Sequence, residues 1–136
     1  MFKEITSLQN PIIKHILLLK DKAKQRNFEG VFVIEGQREL GLAIKGGYVI
    51  KSLLFEPNLF DESRIDTYKT KVTEIIKISS KVYNKIAYRG STEGIVAIAK
   101  SKSHTLEDLK LGSNPLILVA EAPETVSYTH LRAHET

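Results

Sequence analysis

The chain has 136 residues, 42% of them hydrophobic, with eight glycines, no cysteine and a net charge of +4. This composition predicts one globular domain and excludes a collagen-like chain, low-complexity disorder, a disulfide scaffold and cysteine-based catalysis or zinc binding. No apolar run approaches the roughly 20 residues of a membrane helix, and no signal-peptide pattern begins the chain, so we expect a cytoplasmic protein without a membrane partner.

The first half of the chain predicts helix, strand and helix in turn. Asn10 is a good N-cap before Pro11, and apolar residues at helical spacing continue this helix to about Asn27. Residues 31–35 form a β-branched and aromatic run that predicts a buried strand. Residues 37–45 then predict a second helix, which two glycines end.

The second half predicts further strands separated by short helices. The predicted strands cover residues 48–55, 72–78, 94–99 and 115–121. One short helix is expected between residues 58 and 71, and another follows a cap at Ser79 or Ser80. Strands that alternate with helices at this spacing predict an α/β domain with a largely parallel or mixed sheet.

The composition also predicts how the chain is divided. We assign residues 1–102 to one domain and residues 103–114, rich in serine, lysine and glycine, to a linker. The apolar strand after the linker would normally open another βα unit. Residues 115–125 are therefore expected to be the first strand of a truncated second domain.

The final eleven residues, 126–136, show no apolar period and no capping pattern. Their sequence, VSYTHLRAHET, is also the translation of one reading frame of a transposase adapter used in sequencing libraries. We therefore interpret this segment as an adapter-derived artefact and exclude it from the fold.

Positive charge is concentrated in two segments of the chain. Residues 1–28 contain six basic and two acidic side chains, and residues 72–102 contain the same numbers. Such blocks fit a surface that binds a polyanion, although ordinary solvated faces have the same composition. The charge pattern alone leaves both interpretations open.

A polar turn follows the strand at residues 31–35. Glu35 ends the strand and Gly36 precedes a helix, at the edge of an α/β sheet where ligands bind. Exposed amides there could hold an anion, and Arg38 could pair with a phosphate. Alternatively, Glu35 caps backbone amides of the turn and Arg38 is merely solvated, and for Glu35 the structural interpretation is favoured.

A second polar loop spans residues 87–94. Arg89, Ser91 and Thr92 are donors suited to phosphate and ribose hydroxyl groups, and Tyr88 could stack on a base. The other interpretation is a glycine-hinged turn whose hydroxyls satisfy their own backbone, and the loop alone slightly favours it.

The sequence has no catalytic or metal-binding constellation of its own. His15 and His104 are separated by the whole domain and have no acidic or serine partner at a recognisable spacing. His130 and His134 are spaced i, i+4 but belong to the excluded tail. We therefore expect no catalytic residue and no metal site in this chain.

Four short segments have an order and spacing that are specific together, although each is weak singly. They are Ser7–Lys14 (SLQNPIIK), Phe32–Arg38 (FVIEGQR), Ser91–Ile98 (STEGIVAI) and Leu116–Glu121 (LILVAE). Together they resemble the N-terminal region of the SpoU–TrmH family of RNA ribose 2′-O-methyltransferases, over nearly all of residues 5–124. The chain departs from the family pattern at Glu93, where proline is frequent.

The resemblance implies a three-layer α/β/α sandwich with a mixed sheet, a ribosomal-protein-like domain that binds structured RNA. The expected function is that of the substrate-binding domain of a ribosomal or transfer RNA 2′-O-methyltransferase, followed by a knotted catalytic domain. The resemblance places S-adenosylmethionine, and the contacts of a homodimer, in that missing domain. The fragment alone is therefore expected to bind no cofactor and to be inactive.

Carried over to this chain, the resemblance also names residues. The expected RNA-binding residues are Lys14, Lys22, Lys24, Arg26, Arg38, Arg89, Ser91 and Thr92. The residues expected to shape the loops are Glu35, Gly36 and Gly94. A stand-alone RNA-binding module of ribosomal-protein type is the alternative function, and a small α/β protein with ordinary basic faces is a third. The strand at 115–121 argues against a stand-alone module, because a complete module would not need it.

Overall fold

Five strands form one mixed sheet in the computed structural model, which describes residues 2–88 and 91–121. The strands are β1 (Lys3–Ile5), β2 (Val31–Glu35), β3 (Ile50–Phe55), β4 (Val72–Ile78) and β5 (Ile95–Lys100). Their order across the sheet is β1-β4-β3-β5-β2. β4 runs parallel to β1 and β3, whereas β5 runs antiparallel to β3 and β2. The sequence missed β1 because three residues are too few to show a strand period.

Helices flank the sheet in the described part of the chain. The α-helices are α1 (Pro11–Asp21), α2 (Ala23–Glu29), α3 (Gln37–Lys45) and α4 (Ser80–Ile86). Two 3₁₀ segments cover Glu62–Tyr68 and Leu106–Asp108. Among the described residues, no helix combines the length and apolarity that a bilayer span requires.

Local capping signals explain where two of these helices begin. The Asn10 side chain accepts a hydrogen bond from the backbone N–H of Ile12 at 2.9 Å, and Pro11 follows as the first helical residue. The Ser79 hydroxyl accepts from the N–H of Val82 at 3.2 Å and caps α4 in the same way. Both helix starts predicted from the sequence are therefore confirmed.

The single helix predicted to reach Asn27 is wrong, because the structure divides it at Lys22. Lys22 has extended backbone angles (φ −114°, ψ 103°), and its N–H closes α1 on the carbonyl of Leu18. Arg26 of α2 turns back to donate to the carbonyls of Leu19 and Lys20 at 2.7 and 3.0 Å. The break is stable because this guanidinium satisfies carbonyls that the end of α1 leaves without partners.

Each face of the sheet carries its own hydrophobic core, which confirms the three-layer α/β/α sandwich. On one face, α1 and α4 pack on alternate strand residues. The buried helix residues on this face are Ile13, Ile16, Leu19, Val82, Tyr83 and Ile86. On the other face, Leu40 of α3 and Ile65 of the 3₁₀ segment pack on Leu53 and Phe55 of β3. Both faces are covered, so most strand residues are apolar, as in sheets between two helical layers.

Residues after Ser103 form a separate unit. Its described residues are exposed and include the short 3₁₀ turn but no strand, so the strand predicted at residues 115–121 is not observed. A strand needs a neighbour for its backbone hydrogen bonds, and the described part of this unit contains none. Leu116 and Val119 are 99% and 88% exposed. The assignment of this segment to a second domain stays a prediction, and residues 126–136 lie outside the described residues.

Candidate nucleic-acid interface

Glu35, at the end of β2, joins three elements. Its Oε1 accepts a hydrogen bond from Lys20 Nζ at 2.8 Å and another from the backbone N–H of Tyr88 at 2.9 Å. Lys20 also donates to the carbonyl of Ile86 at 2.5 Å. The carboxylate and this lysine therefore tie α1, β2 and the loop after α4 together. From the sequence, Glu35 was expected to cap backbone amides of its own turn. The amide that its carboxylate binds is instead that of Tyr88, 53 residues further along the chain.

Gly36 is the N-cap of α3 and has a backbone conformation, φ +103°, that favours glycine. A Cβ at this position would collide with the carboxylates of Glu39 and Glu93. Glu93 is close because its Oε1 accepts from the backbone N–H of Gln37 at 3.3 Å. The amide end of α3, which the sequence analysis suggested for an external anion, thus already faces a carboxylate of the protein itself.

The loop between α4 and β5 is held by the hydroxyl of Tyr83. This side chain is buried, its oxygen accepts from the N–H of Gly94 at 2.9 Å, and it lies 2.9 Å from the hydroxyl of Ser91. The Ser91 hydroxyl is therefore engaged in holding the loop, whereas Thr92 is exposed. Arg89, which we predicted as an RNA contact, lies outside the described residues.

A cavity of about 280 Å³ lies beside the end of β2. It is lined by Leu19, Lys20, Arg26, Phe32, Val33 and Glu35. Arg26 lies here with its Nη1 turned to the end of α1, so one of its nitrogens serves the fold. The structure therefore places Arg26 beside Glu35, but not as a free surface cation.

The remaining predicted lysines and Arg38 are exposed. Lys14, Lys24 and Arg38 make no ion pair or side-chain hydrogen bond with another described residue. Lys22 pairs only with its neighbour Asp21, at 3.3 Å, and both side chains are largely exposed. These four cations are free to bind an anionic partner.

The excess of positive charge belongs to the first unit. Residues 1–103 contain 18 basic and 11 acidic side chains, a net charge of +7, whereas residues 104–136 contain two basic and five acidic ones, a net charge of −3. The unit that holds the sheet is therefore much more cationic than the whole-chain value of +4 indicates.

His15 has an acidic partner that sequence spacing could not show. Its Nε2 lies 2.7 Å from Glu29 Oε1, and Gln25 donates to Glu29 Oε2 at 2.6 Å. The hydrogen bond from Gln25, and then that with His15, lowers the pKa of the Glu29 carboxyl below its usual value. The pair joins α1 to α2, and the described residues contain no cluster of side chains able to hold a metal.

Sequence reasoning missed Lys20, Tyr83 and Glu93, although each positions one of the two loops. Lys20 lies inside the apolar stripe of α1, and a lysine within such a stripe is a usable sign of a partly buried ion pair. Tyr83 lies one residue from Val82 on the inward face of α4. No local signal places Glu93 at the start of α3, because the contact spans 56 residues.

Comparison with protein families gives one match. The model of the family described as "MRM3-like substrate binding domain" matches residues 10–97. This range includes the sheet from β2 to the first residues of β5 and all four α-helices. The comparison with curated protein sequences gives no match.

Several solved structures have a similar fold. An RNA 2′-O ribose methyltransferase aligns with a TM-score of 0.71 and 30% identity, over 90% of this chain and 46% of its own. An AdoMet-bound rRNA methyltransferase from Sinorhizobium meliloti aligns with a TM-score of 0.65 and 29% identity, over 79% of this chain and 40% of its own. The SpoU methyltransferase AviRb from Streptomyces viridochromogenes, in complex with AdoMet, aligns with a TM-score of 0.65 over 76% of this chain and 40% of its own. Its identity of 18% supports a likeness of fold alone. The chain spans less than half the length of each of these structures.

Proposed function

Because the chain belongs to the family of MRM3-like substrate-binding domains, we propose that it binds structured RNA as the substrate-binding domain of an RNA 2′-O-ribose methyltransferase. The family match over residues 10–97 is the observation that carries this proposal. The net charge of +7 on residues 1–103 supports it, because phosphate neutralisation supplies most of the sequence-independent affinity for nucleic acid.

We propose that the exposed cations make the phosphate contacts. Lys14, Lys22, Lys24 and Arg38 are available for this role, and the exposed hydroxyl of Thr92 can contact phosphate or ribose. Arg26 and Ser91 are assigned mainly to positioning, because their polar atoms already bind the protein. Arg89 keeps the role of an RNA contact as a sequence-based proposal.

The longer protein is proposed to transfer a methyl group from S-adenosylmethionine to a ribose 2′-oxygen of ribosomal or transfer RNA. In that reaction this domain would hold the target nucleotide still, which removes much of the entropic barrier to attack. We also propose a cytoplasmic location and a homodimer formed outside this chain. Two of the similar structures contain AdoMet, which supports the choice of methyl donor.

The lining of the cavity beside Glu35 is a poor match for S-adenosylmethionine. Lys20 and Arg26 line the cavity beside Glu35 with positive charge, which repels the sulfonium of the cofactor. Glu35 already accepts hydrogen bonds from Lys20 and from the amide of Tyr88. We therefore assign cofactor binding to the longer protein and propose that the 136 residues alone do not transfer methyl groups.

A salt titration tests the RNA proposal with the full chain. Binding to transfer RNA and to ribosomal RNA fragments is measured by fluorescence anisotropy at increasing potassium chloride concentration. If phosphate contacts dominate, the logarithm of the affinity should fall linearly with the logarithm of salt concentration, by about 0.7–0.9 per contacted phosphate. An affinity that does not change with salt would contradict the proposal.

Single substitutions then identify the contacts. Arg38→Ala and Lys14→Ala should each weaken binding and reduce the salt slope by about 1, because each removes one cation from the interface. Lys71→Ala, which removes another exposed lysine, just before β4, is the matched control and should leave the slope unchanged. An unchanged dissociation constant for either variant would remove that residue from the interface.

A further inference from the structure

Phe28 is the most exposed aromatic side chain among the described residues. It lies on α2 and has a fractional exposure of 85%, while no residue of α2 is buried. A phenyl ring exposed to water adds no hydrophobic stabilisation to the core. Its face is free to stack on a second aromatic group. The ring takes no part in the proposed phosphate contacts.

The surroundings of Phe28 are cationic. The ring lines a depression of about 370 Å³ with Lys22, Lys24 and Gln25. Lys24 and Gln25 precede Phe28 by four and three residues, so the three side chains share one face of α2. Lys24 has no ion-pair partner among the described residues, and Lys22 has only the exposed Asp21 beside it.

We propose that this face of α2 binds one unpaired nucleotide of RNA, with its base stacked on Phe28 and its phosphates on Lys22 and Lys24. Proteins bind single-stranded nucleic acid by stacking bases on aromatic side chains and by pairing the phosphates with nearby cationic groups. Phe28 and the two lysines provide both. The carbonyl oxygen of Gln25 remains available to a base edge, because the hydrogen bond to Glu29 uses the amide nitrogen. The proposal rests on the proposed function and specifies the RNA at this position.

The chemistry of the patch favours an unpaired base over two other partners. In an A-form duplex the bases stack on each other, so a phenyl ring on the surface finds no free base face. A second copy of this chain, docked face to face on Phe28, would bring two pairs of lysines together at Lys22 and Lys24. The bound RNA segment is therefore a loop, a bulge or an end.

A tryptophan at position 28 provides a direct test, because the chain contains no other tryptophan. Phe28→Trp in the full chain is titrated with a single-stranded RNA oligonucleotide and, separately, with the same oligonucleotide annealed to its complement. We expect the single strand to quench the fluorescence at the concentrations where anisotropy reports binding, and the duplex to quench it far less. Equal quenching by both would contradict the proposal.

Phe28→Ala tests the contribution of stacking to affinity. Its dissociation constant for the single strand should rise about 5- to 150-fold, the range expected for the loss of one base–aromatic stack. The salt slope should stay unchanged, because no phosphate contact is lost, whereas Lys24→Ala should reduce it by about 0.7. Leu42→Ala, which truncates a 57% exposed residue of α3, is the matched control and should bind normally.

Three other outcomes would overturn the proposal, and they are distinguishable. If the unmodified chain binds RNA and Phe28→Ala binds it equally well, this site is wrong and the proposed function stands. If the unmodified chain binds no RNA, the proposed function fails and this site fails with it. If sedimentation shows a dimer that Phe28→Ala converts to a monomer while RNA affinity is unchanged, the ring is a contact between copies.

Discussion

Gly36 has a backbone conformation that residues with side chains rarely adopt. Its φ is +103°, and a Cβ would collide with the carboxylates of Glu39 and Glu93. We predict that Gly36→Ala lowers the free energy of unfolding by about 1–3 kcal/mol, because a residue with a Cβ is strained in this backbone conformation of the folded state. Urea denaturation followed by circular dichroism measures the change.

Gly41 provides the matched control in the same helix. A Cβ at this position would meet no atom within 4 Å, and its backbone is helical. Gly41→Ala should therefore raise the free energy of unfolding by about 0.5–1 kcal/mol, since alanine loses less backbone entropy in a helix. Equal effects of the two substitutions would show that the backbone at Gly36 is not special.

Residue roles at the interface were only partly predictable. Arg38 and Thr92 are exposed, as a binding residue must be, and their contacts with RNA stay predictions. Ser91 and Arg26 have binding chemistry in the sequence, but the fold uses their polar atoms on Tyr83 and on the end of α1. A side chain's chemistry is readable in a sequence, but its nearest partner is not.

The junction between α1 and α2 depends on one side chain. Arg26 donates to the carbonyls of Leu19 and Lys20, which the break at Lys22 leaves without helical partners. We predict that Arg26→Ala lowers the free energy of unfolding by about 1–2 kcal/mol, because hydrogen bonds to a charged group are lost from a partly buried site. Thermal and urea denaturation measure this effect.

Lys24→Ala is the control for Arg26→Ala, because both residues lie on α2. Lys24 lies two residues before Arg26 on the same helix, is exposed, and should change stability by less than about 0.5 kcal/mol when replaced by alanine. The salt dependence of RNA affinity should respond in the opposite way. Its slope should decrease in Lys24→Ala and stay unchanged in Arg26→Ala. If Arg26→Ala keeps its stability and loses salt slope, Arg26 is a phosphate contact after all.

The stability of the whole unit is expected to depend on pH through Glu29. Hydrogen bonds from Gln25 and with His15 lower the pKa of this carboxyl below its ordinary value of about 4.5. A lowered pKa means that the stabilisation is complete above about pH 4.5 and is lost as the pH falls through the value in the folded protein. The urea midpoint should therefore decrease in this acid range.

Glu29→Gln identifies the source of this acid response. The amide cannot titrate, so the variant should be less stable than the unmodified chain at pH 7 and should lose less stability on acidification. Glu4→Gln is the control, because Glu4 is exposed and makes no side-chain hydrogen bond in the described part of the chain. An acid response of Glu29→Gln as steep as that of the unmodified chain would assign it to other groups.

The sequence by itself determined most elements of this protein and their class. Apolar periodicity and the caps at Asn10 and Ser79 are local, so they predicted the start of α1, the helices α3 and α4, and the strands from β2 to β5 to within a few residues. They did not predict the break between α1 and α2. The family resemblance supplied the three-layer sandwich. Local sequence patterns could not predict the order of the strands in the sheet, because strand pairing depends on contacts between residues that are distant in the chain.

Only the tertiary structure decided which functional groups meet. Glu35 holds the amide of Tyr88 from 53 residues away, and Glu93 reaches the start of α3 from 56 residues away. It also decided which cations stay free, separating Arg26, which closes a helix end, from Lys24, which faces solvent. The physical reason is that charge is a property of one residue, whereas burial and hydrogen bonding are properties of its neighbours in space.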